Sequence, residues 1–159
     1  IDWIKTSAND PKWHSMNHTR VDAAGFEAVV GYRYGYWLKN VEASYSYTRL
    51  NKSSNEMISK YALDYLKHKL AVRLEHKIYK NFGASWQFTL QKRNGNYKNI
   101  NNEIVDYQLF GLFDGRIYWQ NQTLKIFVEA TNILNAKYYD IGGIIQPERW
   151  VKAGASVDF

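Results

Sequence analysis

The chain of 159 residues contains no cysteine and only 2 prolines. The missing cysteines exclude a disulfide scaffold, a thiolate metal site and a cysteine nucleophile. There is also no run of about 18 apolar residues, so a transmembrane helix is excluded. The opening Ile-Asp-Trp-Ile lacks a Met and lacks the basic, apolar and small-residue regions of a signal peptide; processing or truncation upstream is expected. No phosphate loop, G-x-S-x-G or paired-carboxylate motif occurs, and no enzyme is expected. What is plentiful is aromatic: 13 Tyr, 6 Trp and 7 Phe. The apolar fraction of 45% excludes wholesale disorder, and the length suits one domain or a piece of a larger one. Tyr and Trp pair an apolar body with a polar tip, which suits strands and membrane–water boundaries. The negative mean hydropathy argues against a helical membrane protein, but a membrane barrel has one polar face per strand.

Period two dominates the chain. Phe82, Ala84, Trp86, Phe88 and Leu90 alternate with Gly83, Ser85, Gln87, Thr89 and Gln91. The same alternation sets Tyr107, Leu109, Gly111, Phe113, Ile117 and Trp119 on one side of the next strand. It recurs with Leu124, Ile126, Val128 and Ala130, and with Val151, Ala153, Ala155, Val157 and Phe159. Earlier, Phe26, Ala28, Val30, Tyr32 and Tyr34 form one phase, as do Val41, Ala43, Tyr45 and Tyr47. Residues 66–79 put Leu66, Leu70, Val72, Leu74 and Ile78 opposite Lys67, Lys69, Arg73, Glu75 and Lys77. Here Ile58, Ala62, Leu66, Leu70, Leu74 and Ile78 are also spaced by four, so an amphipathic helix competes with the strand.

The links sort by length. Short ones fall near residues 36–40, 80–81 and 120–123; long polar ones fall near 6–16, 51–60, 94–106 and 132–146. Strict alternation of short and long links is the asymmetry of an up-and-down outer-membrane barrel, and the strands have the length of about ten residues that a tilted crossing needs. Mid-strand Lys, Arg, Asp and Glu fall on the phase opposite the apolar one, and aromatics gather at both ends of the strands. The fold expected is all-β, an antiparallel up-and-down transmembrane β-barrel segment of about eight strands: seven full ones and a stub at residues 1–5, read as the end of a strand that starts upstream.

The segment Glu129-Ala130-Thr131-Asn132-Ile133-Leu134-Asn135-Ala136-Lys137-Tyr138 resembles the E-x-x-N-L-F-N-x-x-Y signature of TonB-dependent outer-membrane receptors. Gly25-Phe26-Glu27 looks like that family's G-x-E, and Trp150 opens a last strand ending in Phe159, as its chains do. In the signature Ile133-Leu134 stands in place of Leu-Phe; residues 138–150 are similar to the tails of cobalamin-receptor-like members, with Glu148 where Gly is common. The motif resemblance covers roughly the last 35 residues; the strand layout covers the whole chain.

The resemblance implies that residues 1–159 are the C-terminal third of a 22-stranded barrel, with the plug domain and energy-coupling box absent. It implies a Gram-negative cell outer membrane as location, with membrane lipid, the barrel-assembly machinery and an imported small molecule of cobalamin or siderophore type as partners. TonB would be contacted through the missing N-terminal part. A stand-alone eight-stranded barrel and a soluble basic β-protein binding nucleic acid, suggested by the net charge of +6, are the alternatives. In the barrel reading nucleic acid is not a partner, because no Lys or Arg interrupts the aromatic phase as a stacking platform requires.

Candidate ligand contacts are the loop aromatics Trp13, Tyr97, Tyr138 and Tyr139 together with His14, since flat rings offer large contact area at low entropy cost. His14 and His18 have H-x-x-x-H spacing, but in a strand such residues lie about 13 Å apart; no metal site and no cofactor are expected. Phe159 is the candidate assembly signal: a barrel cannot insert strand by strand with open edges, so the assembly machinery must capture an edge strand with apolar side-chain handles.

Overall fold

The computed structural model describes residues 2–5, 10–17, 20–52, 58–59, 65–101 and 103–158. Its strands in chain order are β1 (Asp2–Lys5), β2 (His14–Met16), β3 (Val21–Tyr32), β4 (Leu38–Lys52), β5 (Ile58–Ser59), β6 (Leu66–Tyr79) and β7 (Phe82–Arg93). There follow β8 (Asn96–Lys98), β9 (Ile104–Asp106), β10 (Phe110–Gln120), β11 (Leu124–Thr131), β12 (Tyr139–Asp140), β13 (Ile144–Ile145) and β14 (Trp150–Val157). One 3₁₀ turn, Ile141–Gly143, separates β12 from β13.

The long strands form a single antiparallel sheet in the order β14-β11-β10-β7-β6-β4-β3. Spatial neighbours are successive long strands in the chain, so the sheet is an up-and-down meander. The sheet is open. Residues 66–79 are strand throughout, so the period-two reading holds there: Val72 pairs with both Ala43 and Phe88, a phase that the four-residue spacing alone does not explain.

The register makes the two faces continuous. Tyr32, Val41, Leu74, Trp86, Gly115, Ala130 and Val151 lie side by side across all seven strands. On the opposite face Gly31, Glu42, Arg73, Gln87 and Asp114 form one row, and Glu75, Ser85, Arg116, Glu129 and Lys152 form the next. The apolar face has no second layer among the described residues: Val30 is 73% exposed and Val151 62%, and the substantial packing runs between neighbours within a sheet, apart from β8 against the 3₁₀ turn. Among the described residues the buried apolar side chains are few, namely Ile4, Ala84, Tyr107 and Tyr118. A water-soluble sheet would cover such a face with helices or a second sheet.

Two expectations are corrected. The stub β1 is not an eighth strand of the wall; it pairs with β2 and β5 in a separate three-stranded sheet, because its partners are loop segments beyond the ends of β3 and β4. The strand expected from Tyr107 starts at Phe110. Tyr107 is only 2% exposed and packs in the preceding loop, and Leu109 lies outside the strand.

Small residues set close approaches. A Cβ on Gly115 would stand 2.6 Å from the Trp86 ring, and one on Gly154 2.7 Å from that of Phe127. Aromatic rings thus cover the glycines of adjoining strands and restore the packing those glycines lack. At Gly25 the neighbour is rigid: a Cβ would sit 2.4 Å from the Tyr47 carbonyl oxygen. Gly25→Ala is expected to cost roughly 1–3 kcal/mol, whereas Gly31→Ala, whose nearest neighbour is 3.8 Å away, leaves the unfolding midpoint unchanged or raised. Denaturant unfolding of both variants measures the difference.

Candidate functional site

The polar face carries a connected set of charges. Glu129 on β11 accepts from Arg116 on β10 and, at 2.8 Å, from Lys152 on β14. Arg116 also lies 4.6 Å from the centre of the Phe127 ring. Arg73 donates to Gln87 at 3.0 Å, and the Gln87 amide reaches Thr89 at 3.4 Å. Between these rows lies a concavity of about 360 Å³, lined by Arg73, Glu75, Ser85, Gln87, Asp114, Arg116, Glu129 and Thr131 among others. Both signs of charge alternate across it, as cross-strand pairing favours, so it presents polar groups with their partners already supplied.

The long loops form the second feature. Asp140 caps the 3₁₀ turn, accepting from Ile141 N at 2.9 Å, and also accepts from Arg93 at the end of β7. Tyr97 on β8 lies between Tyr107, at 5.0 Å between ring centres, and Tyr139, at 4.8 Å. Gly143 N donates to the Tyr107 hydroxyl at 3.0 Å. Gly143 has φ +70 and faces the Tyr97 ring so closely that a Cβ would stand 2.6 Å from it; only glycine accepts both conditions. Tyr138 stacks on Phe110 at 4.5 Å. Desolvation, followed by the charge of Tyr139, holds the Tyr97 hydroxyl above the usual tyrosine range; desolvation, followed by Asp140 and Asp114, does the same for Tyr138.

Three of the loop residues singled out from the sequence, Tyr97, Tyr138 and Tyr139, therefore belong to the packed loops that follow β7 and β11. Trp13 and His14 do not join them. They lie at β2 in the three-stranded sheet, where the Lys5 ammonium sits 5.2 Å from the Trp13 ring centre and His14 pairs with Asp10 at 3.3 Å. His18 and Phe159 lie outside the described residues. Tyr107, Arg93 and Asp140 were not foreseen. Tyr107 carried the same tyrosine signal but was assigned to a strand, and no spacing rule links Arg93 to a partner 47 positions away.

The E-x-x-N-x-x-N-x-x-Y positions each have a local task. Glu129 binds its two cations. Asn132, 4% exposed and at φ 50, donates from Nδ2 to Ala136 O at 2.9 Å and accepts from Ala136 N at 2.8 Å. Its own N–H donates to Asp114 at 2.8 Å. Asn135, at φ 55, accepts from Arg149 N at 2.8 Å, and Tyr138 stacks on Phe110. Asparagine suits these turns because it tolerates the left-handed region and bonds its own backbone.

No family model matches the chain, and no curated protein matches it. Among solved structures, the FrpB iron transporter from Neisseria meningitidis (F3-3 variant) is similar in fold: the TM-score is 0.67 at 16% identity, over 85% of this chain and 23% of that one. The chain thus matches less than a quarter of the transporter's length. The likeness is one of fold.

Asn132→Ala removes both side-chain bonds and places a Cβ residue with no local compensation at positive φ; it is expected to destabilise by roughly 2–4 kcal/mol, and Asn132→Gly by less, as read from unfolding midpoints. The tyrosines give a pH prediction. Their raised folded-state pKa favours the neutral phenol, so the loop packing is fully present below the ordinary tyrosine pKa and is lost as pH rises beyond it, where the unfolded chain ionises first. Ultraviolet absorbance titration should show tyrosines ionising later than the bulk, and Tyr97→Phe should remove one of them.

Proposed function

We propose that this chain is the C-terminal β-barrel segment of a TonB-dependent outer-membrane receptor that imports a large scarce nutrient of siderophore or cobalamin type. The observation that carries the reading is the seven-stranded meander with one face apolar through its middle and uncovered, and one charged face. Hydrocarbon suits the first face and a water-filled lumen the second, and a mid-strand Lys or Arg on the lipid side would cost roughly 2–4 kcal/mol. The sheet is open at β3 and β14. Unpaired edges are not tolerated in hydrocarbon, so the wall is completed by further strands of a larger barrel. The fold likeness to an iron transporter supports transport, and within the two ligand types it favours the iron-carrying one. In this reading the long loops face outward, Trp13, His14, Tyr97, Tyr138 and Tyr139 contribute to ligand contact, energy comes through TonB by way of the rest of the protein, and Phe159 serves capture by the assembly machinery.

In the full-length protein inserted in bilayers, spin labels at Phe88, Phe113 and Val128 are expected to contact lipid, and labels at Ser85 and Gln87 water. The reverse pattern would remove the barrel assignment. Uptake of a labelled ferric siderophore, with cyanocobalamin as comparison, should depend on the gene and cease when the proton-motive force is collapsed. Replacing Trp13 and His14 together by Ala is expected to weaken binding of the transported probe by roughly tenfold; unchanged affinity would withdraw those two residues from the ligand surface.

A further inference from the structure

Charge on the apolar face is confined to one end. Among the described residues of the seven long strands, the register puts three charged side chains on that face: Asp22 on β3, Arg49 on β4 and Lys92 on β7. All three lie near the strand ends that lead into the long loops. At the opposite ends the same face carries Tyr32, Ile78, Tyr79 and Phe82, exposed and uncharged. Asp22 is taken, since Arg20 Nε pairs with it at 2.8 Å. Arg49 and Lys92 form no ion pair among the described residues, and the acceptor printed on each is neutral. Arg49 Nε donates to the Asn51 side-chain oxygen at 3.2 Å, which leaves both amino groups of an exposed guanidinium. Lys92 donates to the Tyr107 carbonyl, which uses one of its three ammonium hydrogens. This corner of the face therefore holds two positive charges without a counter-charge.

We propose that this corner binds an anionic lipid of the leaflet on the long-loop side, with the lipid phosphate held by Arg49 and Lys92. Phe26, Tyr47, His68 and Lys92 form one row across β3, β4, β6 and β7. Arg49 stands one step further toward the loops, opposite the small side chain of Ala24. With β6 between them, β4 and β7 run about 10 Å apart, a span that one phosphorylated headgroup bridges. A guanidinium grips phosphate through two parallel N–H bonds, and an ammonium adds a point charge. The lipid source is argued from what lies on the membrane side of the cations. The Phe26 ring is 5.6 Å from that of Tyr45 and 6.0 Å from that of Tyr47, and Tyr47 is 5.0 Å from His68. The Tyr45 hydroxyl is 2.8 Å from His68 Nδ1, so the polar tips inside this cluster satisfy each other. What remains is a bed of rings on an uncovered face, directly below the charges. A free anion has no use for it, whereas the acyl chains of a lipid lie against it.

This proposal rests on the membrane reading, and the test separates the two. The full-length protein is extracted from membranes in detergent, and its affinity for phosphatidic acid, phosphatidylcholine and glycerol phosphate is measured by titration under native mass spectrometry. The wild type should bind phosphatidic acid more tightly than phosphatidylcholine, whose phosphate is masked by choline. Each cation near an anionic headgroup is worth about fivefold in affinity, so Arg49→Gln with Lys92→Gln should weaken phosphatidic acid about 25-fold. Arg49→Lys with Lys92→Arg should keep most of the affinity, and Lys12→Gln with Lys98→Gln in the long loops should leave it unchanged. Equal binding of the two lipids, or equal loss in the Lys12 and Lys98 variant, overturns the site. Glycerol phosphate binding as tightly as phosphatidic acid overturns the lipid source. Wild-type protein that fails to sediment with membranes overturns the membrane reading itself, whereas membrane-integrated protein without lipid preference overturns only this proposal.

Discussion

The structure depends on keeping one register across seven hydrogen-bonded strands. Successive side chains of a strand point to opposite faces, so a slip of one residue exchanges the faces entirely. A slip of β6 would carry Lys69, Arg73, Glu75 and Lys77 into the row of Leu70, Val72 and Leu74. The side-chain contacts oppose such a slip on both faces. Trp86 stacks on Phe113 at 5.7 Å and covers Gly115, while Arg116, Glu129 and Lys152 are matched only when β10, β11 and β14 are aligned as found. The irregularities fall near strand ends, between Leu38 and Asn40, Leu66 and His68, and Lys77 and Tyr79. There a bulge re-aims a side chain without shifting the centre of the sheet. Lys39 shows the effect: as the extra residue of its bulge it reaches Glu75 and Tyr118 on the polar face.

The two histidines of the apolar phase follow the same logic. His68 and His76 bracket Leu70, Val72 and Leu74 on β6, and each has a polar partner within that face. The Tyr45 hydroxyl lies 2.8 Å from His68 Nδ1, and Trp86 Nε1 donates to His76 Nε2 at 3.0 Å. Trp86 thus uses the Nε2 lone pair of His76 as its acceptor. Between the pair only apolar side chains point outward on this strand, and the polar tips are turned toward neighbouring rings. An apolar band bounded by amphipathic groups fits the bilayer crossing proposed above.

How much of this was legible in the sequence depends on whether the cause was local. Alternation is local, so the faces of the long strands could be read directly, including residues 66–79, where helical spacing competed. Strand pairing beyond neighbours is not local. Asp2–Lys5 alternates too weakly over four residues to reveal that it joins β2 and β5 and not the main sheet. Tyr107 has the right parity for β10 and still leaves it, because its ring packs on Tyr97 and its hydroxyl accepts from Gly143, 36 positions away. Tyr97 and Tyr139 were picked by residue type; their mutual contact was invisible. The Asn132 and Asn135 turns were visible as a motif, but their hydrogen bonds to Ala136 and Arg149 become meaningful only with the backbone at positive φ.

The contrast between the rims is a consequence of the same division of labour. At one rim the connections need only join antiparallel neighbours, and residues 80–81 do so in two positions. At the other, the loops after β7 and β11 carry their own strand pairs, β8 with β9 and β12 with β13, and pack through Tyr97, Tyr107, Tyr139 and Gly143. Their side-chain attachments to the wall are concentrated at few points: Arg93 to Asp140, Lys92 to the Tyr107 carbonyl, and Asn132 N to Asp114. Lys92 and Arg93 lie at the end of β7, and Asp114 reaches the residue that follows β11 from within β10. Loop sequence can therefore change between these anchors without disturbing the register that keeps charge off the apolar face. A wall built on strict alternation and loops built on their own contacts tolerate change independently.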